Sequence, residues 1–304
     1  MNSFYTDIPD ASTWEAIEPV HKGWSKDMKY YIKAHNGKEL LLRTSDISQY
    51  DQKKREYEAI LLLEDQDILM SRPLQFGVCN GGQTVYSLLT WIDGEDAEHV
   101  IPTLSVEEQY QRGLKAGQYL KSIHQMPAGQ DQAPWADYYN RKIDKYITNY
   151  KSCGIALKGS DKVIHFIEGN RYLLEERPQT FQHGDYHVGN MIVTKSGELG
   201  IIDFNRFDYG DPWEEFNRIT WCAFMSPAFA SGRIQGYFNN NVPDLFFKMM
   251  ALYIASNQLS SIHWAISFGE EEVANMLKRA ENVLEWYDDF DLYIPKWYMA
   301  NSKD

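Results

Sequence analysis

The feature that most restricts the fold of this 304-residue chain is a change of hydrophobic period near residue 94. Before it, short strand-like runs alternate with turn residues. Residues 28–33 (MKYYIK) and 39–44 (ELLLRT) are split by Asn36-Gly37, a dipeptide that tolerates positive φ and predicts a tight hairpin. Residues 49–64 (QYDQKKREYEAILLLE) set Tyr57, Ile60, Leu61 and Leu63 on one side of a helix and charges on the other. Residues 74–79 and 84–91 predict two further strands joined by Asn80-Gly81-Gly82. After Asp93-Gly94 the period lengthens. Ser105 and Glu108 have capping-box spacing, and Val106, Tyr110, Leu114, Gly117, Leu120 and His124 follow along one helical face. Helices are predicted over 135–150, 162–176, 212–224, 244–267 and 270–287, with short β runs at 191–194 and 199–203. The expected class is α+β, a small antiparallel sheet with one helix followed by a larger, mainly helical part. The expected division is a lobe over 1–90, a brief hinge at 91–94 and a second lobe over 95–304. No internal repeat, low-complexity tract or Gly/Ser linker interrupts it.

Charge narrows the partners. Thirty Lys and Arg against 43 Asp and Glu leave −13 at pH 7, which repels nucleic acid and anionic membrane surfaces and favours cationic small molecules. Cys79, Cys153 and Cys222 are odd in number and lack CxxC spacing, against a disulfide framework or zinc ribbon. Asp7, Pro9 and Asp10 stand where a secretory signal would need a basic start and an apolar run, so a cytoplasmic location is expected. Residues 249–269 carry no Asp, Glu, Lys or Arg, but Ser256, Asn257, Gln258, Ser260, Ser261, His263 and Ser267 interrupt them. A buried helix is expected there rather than a membrane span.

The densest polar constellation is Phe181-Gln182-His183-Gly184-Asp185-Tyr186-His187-Val188-Gly189-Asn190, followed by apolar residues and then Gly200-Ile201-Ile202-Asp203-Phe204. Phosphoryl transfer needs a carboxylate to take the proton of the incoming hydroxyl, an oxygen ligand for Mg2+ and a second metal-binding carboxylate. Asp185 and Asn190 have the spacing of the kinase pattern HxDxxxxN, and Asp203 closes a strand as the Asp of DFG does. P-loop, GxGxxG, HExxH and GxSxG patterns are absent from the sequence.

On these residues the chain resembles the aminoglycoside phosphotransferases and their small-molecule kinase relatives, which share the two-lobed protein-kinase-like fold. The resemblance rests on His183-Gly184-Asp185-x-His187-x-x-Asn190 and Ile202-Asp203-Phe204-x-Arg206 and extends over nearly all of the chain. It implies that Asp185 is the catalytic carboxylate, Asn190 and Asp203 the Mg2+ ligands, and Arg206 a positive group near the transferred phosphate. His183 and His187 are expected to support the loop by bonding backbone carbonyls. Gly23-Trp24-Ser25 resembles the nucleotide-positioning loop, with Gly23 allowing close backbone approach and Ser25 offering a hydroxyl. The 40–44 strand resembles the one that carries the nucleotide-binding Lys, so Arg43 stands in for that Lys and Glu56 is expected as its ion-pair partner. Residues 88–94 resemble the interlobe connector, where backbone groups of Thr90 and Ile92 would pair with the purine edge. Asp211 is expected to cap a helix and brace the catalytic loop.

The implied activity is transfer of the γ-phosphate of ATP or GTP to a small, polycationic acceptor, an aminoglycoside first, which amounts to antibiotic resistance by modification. A metabolite kinase for choline, methylthioribose or homoserine and a catalytically silent nucleotide-binding protein are the alternatives. The expected assembly is a monomer or weak dimer. Acceptor-binding acids are sought among Asp208, Glu214, Glu215, Glu270, Glu271, Glu272, Asp288, Asp289 and Asp291, while Trp264, Trp286, Tyr287 and Trp297 could stack on rings or fill the core.

Overall fold

The computed structural model describes residues 4–21, 27–129 and 131–300. In chain order the elements are strands β1 (Trp14–Pro19), β2 (Met28–Ala34) and β3 (Glu39–Asp46), helix α1 (Tyr50–Leu61), and strands β4 (Pro73–Cys79), β5 (Thr84–Thr90) and β6 (Gly94–Asp96). Helices α2 (Ala97–Val100), α3 (Val106–Ile123), α4 (Trp135–Ser152) and α5 (Ser160–Asn170) come next. Strands β7 (Thr180–Gln182), β8 (Met191–Thr194), β9 (Leu199–Ile201) and β10 (Asp208–Gly210) precede α6 (Ile219–Met225), α7 (Pro227–Phe238), α8 (Asp244–Ala265) and α9 (Glu270–Tyr287). The chain divides into two compact units, Met1–Ala97 with Asn190–Phe207, and Glu98–Gly189 with Asp208–Asp304.

The first unit holds an antiparallel sheet in the order β1-β2-β3-β5-β4. In β3 the buried Leu40 and Leu42 alternate with Leu41 and Arg43, as a sheet with two distinct faces requires. Leu40 and Leu42 join Ile8, Ile32, Tyr86 and Leu88 in a core that Tyr5 and Trp14 cover. The opposite face, with Arg43, Ser45 and Ser87, meets Glu56, Tyr57 and Ile60 of α1. Strand β1, WEAIEP, escaped sequence analysis because its two Glu and terminal Pro mark an edge strand that is only half covered. The turn Asn80-Gly81-Gly82 takes positive φ throughout (54°, 62° and 88°). Asp7 ties it down by accepting the N–H of Asn80 at 2.9 Å and of Gly81 at 3.0 Å. The hairpin β8-β9, expected within 95–304, groups with this unit because β6 pairs with β8 from Gly94↔Thr194 to Asp96↔Ile192.

In the second unit the capping box forms as expected. Ser105 Oγ accepts the Glu108 N–H at 3.3 Å, and Glu108 accepts the Ser105 N–H at 2.9 Å. The expected 212–224 helix is instead a 3-10 turn, Glu214–Arg218, followed by α6. Asp211 spends its carboxylate on the Trp213 N–H and on Arg177, which holds the backbone in a turn ahead of the helix. The 162–176 helix likewise splits into α5 and a 3-10 turn, Arg171–Leu174, at Gly169-Asn170. Helix α7 went unpredicted because it is buried almost all round and shows no amphipathic stripe. It crosses α3 through reciprocal glycines, since a methyl on Gly113, Gly117, Gly232 or Gly236 would lie 2.1 to 2.3 Å from a backbone oxygen of the facing helix. Helix α8 is mostly buried, and no helix among the described residues is long and apolar enough to cross a membrane.

Candidate active site

In the second unit, β7 delivers its chain into His183-Gly184-Asp185 through the left-handed Gly184 (φ 81°). The buried Glu215 clamps this corner, its two oxygens accepting the N–H of His183 at 2.6 Å and of Gly184 at 2.8 Å. Burial pushes the Glu215 carboxyl up, but hydrogen bonding and charge from His124, with charge and the N–H of His183, outweigh it and hold it below the ordinary value. Glu215 is therefore a loop clamp and not one of the acceptor-binding acids. Both loop histidines accept a backbone N–H of their own loop. His183 Nδ1 takes the Asp185 N–H at 3.2 Å and His187 Nδ1 the Gly189 N–H at 3.1 Å.

The Asp185 carboxylate is 13% exposed and lies 2.6 Å from Arg218 Nη1 and 3.4 Å from His187 Nε2. Arg218 ends the Glu214–Arg218 turn, so the turn that places the Glu215 clamp also places this cation. Arg218 carries no sequence signal. Asp211 is fully buried and bidentate to Arg177 (2.7 and 3.1 Å), and it accepts from Tyr253 at 2.6 Å. Its carbonyl takes the Gln182 side chain at 2.8 Å, one residue ahead of His183, which is the bracing expected of Asp211. Arg233 of α7 lies 4.7 Å from the Tyr186 ring and 4.9 Å from that of Phe216, and donates to the Glu215 carbonyl at 3.1 Å. Of the remaining candidates, Tyr287 and Trp297 are core and Glu214 pairs with Lys142 at 3.1 Å, while Trp264 is exposed against Phe268.

The first unit holds Asn190, Asp203, Arg43 and Glu56, but pairs them differently from expectation. Arg43 does not meet Glu56. Its Nη1 donates to Asp203 at 2.8 Å and its Nη2 to Asp27 at 2.7 Å. Glu56 is held from its own helix, by Lys53 at 2.9 Å and Gln52 at 2.9 Å. Lys53 also lies 2.9 Å from the Asp27 carboxylate, so the cation that would have come from β3 is supplied one helical turn away. Burial opposes ionisation of Asp27, yet Arg43, Lys53 and the Ser45 hydroxyl bring its carboxyl down from 3.8 to about 2. Lys29 Nζ completes the group 4.0 Å from Asp203. Asp27, Lys29 and Lys53 are the site residues sequence analysis missed; each is an ordinary charge until the fold supplies its partner.

Asp203 has left-handed backbone (φ 69°), and Arg206 closes the exposed end of the short turn Phe204–Arg206. The Thr90 N–H is already given to the Arg72 carbonyl at 2.9 Å, whereas the N–H and C=O of Ile92 have no partner among the described residues. Gly23 and Ser25 lie outside the described residues. For Mg2+, Asn190 immediately precedes β8 and Asp203 lies just past the end of β9, where Met191 pairs with Ile201, and the Ile202 N–H bonds the Asn190 carbonyl at 3.1 Å. The described residues hold no group of three or more His, Cys, Asp or Glu that could hold a metal ion. One carboxylate and one amide oxygen nonetheless fit a hard cation that keeps water and substrate phosphate as its other ligands.

The antiparallel sheet with α1, the helical second unit and the clamped His183-Gly184-Asp185 loop define a protein-kinase-like phosphotransferase. The chain belongs to the phosphotransferase enzyme family, whose profile matches residues 16–246. Among solved structures it is similar to aminoglycoside phosphotransferase APH(4)-Ia, at TM-score 0.68 and 13% identity over 90% of this chain and 94% of that one. It is also similar to aminoglycoside 2'-phosphotransferase-IIIa with GDP (0.68, 13%, 92% and 95%) and to ADP-bound APH(2'')-Ib (0.61, 15%, 88% and 93%). No curated protein matches its sequence.

Proposed function

We propose that the chain transfers the γ-phosphate of ATP or GTP, with Mg2+, to a hydroxyl of a small cationic acceptor, an aminoglycoside first, from an N-terminal nucleotide lobe (1–90) to a catalytic lobe (95–304) joined at 91–94. The observation that carries it is the Asp185 carboxylate, fixed by a loop whose backbone Glu215 clamps and oriented by Arg218 at 2.6 Å and His187 at 3.4 Å. Such a carboxylate can align the acceptor hydroxyl and take its proton. Asn190 and Asp203 would hold Mg2+, which when bound neutralises charge on the phosphate oxygens. Arg43 would meet phosphate, and the open backbone groups of Ile92 suit a purine edge. Similar structures hold ADP, GDP or AMP-PNP, and one set holds hygromycin B.

A second reading, a metabolite kinase with an uncharged or anionic acceptor, is favoured by Arg279. Its guanidinium lies 4.0 Å over the Trp221 ring, whose centroid is 5.3 Å from that of the Asp185 neighbour His187. No carboxylate among the described residues comes within 4.0 Å of it. Aminoglycosides, amino alcohols, sugars and hydroxy acids, each offered with ATP and GTP and read by mass spectrometry, separate the two readings. Asp185→Ala should abolish transfer while nucleotide affinity stays within about threefold, a loss in k much larger than that in binding. EDTA should stop transfer and Mg2+ restore it. Full turnover in the Asp185 variant removes the mechanism, and turnover in EDTA removes the metal from it.

A further inference from the structure

Glu56 is two contacts removed from Arg43, through Lys53 and Asp27, so it cannot orient that guanidinium directly. We propose that the donor phosphates are met here by a cross-strand cation pair, Lys29 of β2 and Arg43 of β3, and that Asp27, not Glu56, is the carboxylate that positions it. The inference deepens the phosphotransfer reading of this site and rests on it.

Lys29 and Arg43 are direct partners in the β2-β3 register, so their side chains leave the same face of the sheet. Both reach the same carboxylate, Asp203, at 4.0 and 2.8 Å, and both are largely covered, at 13% and 11% exposure. Like charges directly opposite each other repel, and covering them raises that cost. A pair of this kind persists where anions meet it, and Asp203 with the 4%-exposed Asp27 supplies them here. The two anions are not equivalent. Asp27 is locked by Arg43, Lys53 and Ser45 at 2.7 to 2.9 Å, so it is a fixed part of the scaffold. Asp203 is more exposed, at 22%, and stands in the metal-binding segment. A triphosphate can take the place of Asp203 against Lys29 and the Nη1 edge of Arg43, while the Nη2 edge stays on Asp27.

The division of labour also explains the chemistry of the two side chains. A planar guanidinium can face two acceptors from one group, which an ammonium does less rigidly, and a compact ammonium suits phosphate as a point charge. Arg43 thus gives up the usual Lys role in part, and Lys29 supplies the ammonium from the neighbouring strand.

The test is Mg·AMP-PNP affinity by calorimetry for the full chain and for Lys29→Met, Asp27→Asn and Glu56→Gln, with circular dichroism as the fold control. Lys29→Met and Asp27→Asn should each weaken binding about tenfold, the cost of one charge-assisted contact, and Glu56→Gln about threefold or less. The Asp27→Asn loss should vanish in an Arg43→Met background, a coupling that a general loss of stability does not produce. Binding by Lys29→Met within twofold of wild type overturns the proposal, as does a Glu56→Gln loss equal to that of Asp27→Asn. Should Asp27→Asn not fold, Glu56→Gln and Arg43→Met decide by their additivity. Independent effects support the proposal, and coupling above about fivefold overturns it. If wild type binds neither Mg·AMP-PNP nor Mg·GMP-PNP, the phosphotransfer reading itself falls; if it binds either and Lys29→Met is unchanged toward that nucleotide, only the present inference does.

Discussion

Gly117→Ala adds one methyl group at the α3-α7 crossing, and the structure allows its cost to be worked out. The new Cβ would lie 2.1 Å from the Arg233 carbonyl oxygen, 2.5 Å from the Tyr237 nitrogen and 2.9 Å from the Gly236 carbonyl carbon. Carbon contacts relax only near 3.5 Å, so the helices must part by about 1.4 Å, and the obstacle is backbone with no rotamer to change. Overpacking of this severity costs about 3 kcal/mol, against which the better helix propensity of Ala returns about 1 kcal/mol. The net loss is about 2 kcal/mol. Gly169→Ala in α5 is the control, because nothing lies within 4 Å of its added methyl and only the propensity gain of up to about 1 kcal/mol remains. Urea unfolding of both variants at equal m-values measures the difference. Turnover of Gly117→Ala should also fall well below its melting temperature, since α7 carries Arg233 against Tyr186 and the Glu215 carbonyl. A Gly117→Ala protein as stable as Gly169→Ala would refute the close-packed crossing.

Asp211→Asn strands Arg177 beside a fully buried neutral group and should cost about 3–5 kcal/mol by urea unfolding; a loss under 1 kcal/mol would mean the pair is not the brace described. Arg218→Gln should lower kcat at least about tenfold while leaving the nucleotide KM near wild type, because it orients Asp185 and not the donor; steady-state kinetics in both substrates separates the two. Acid should destabilise the first unit through Asp27. Its folded value of about 2 lies below the ordinary 3.8, so its contribution, about 2 kcal/mol, is complete above about pH 4 and is lost as the pH falls toward 2. The denaturation midpoint followed from pH 5 to pH 2 should slope less in Asp27→Asn, and equal slopes would contradict the pairing.

What was legible in the sequence is what is local. The capping box of Ser105 and Glu108 sits where it was expected, and α9 matches its predicted 270–287, because such signals need only a few neighbouring residues. The polar run from His183 to Asn190 was legible for the same reason. Helix α7 was not, since burial on every side erases the periodicity that marks a helix. Its remaining signal was two glycine pairs, Gly113 with Gly117 and Gly232 with Gly236, whose four-residue spacing puts them on one face of each helix. Glu215 was counted among the acceptor-binding acids because its partners, the N–H groups of His183 and Gly184, lie more than thirty positions away.

The pairing of Arg43 depends on a single residue of register, which is why charge identity alone could not yield it. A two-residue loop at Asn36-Gly37 would set His35 opposite Lys38, and hence Lys29 opposite Thr44 and Arg43 opposite Tyr30. Only Gly37 takes positive φ, at 79°, while Asn36 instead accepts the Lys38 N–H on its side chain at 3.0 Å. The loop therefore has three residues, Ala34 bonds Lys38, and the register moves to Lys29↔Arg43. Because a one-residue slip sends a side chain to the other face of a strand, the shorter loop would separate these two cations. The conformation of Asn36 is thus one of the determinants of where the charges of Lys29 and Arg43 converge, although it touches neither.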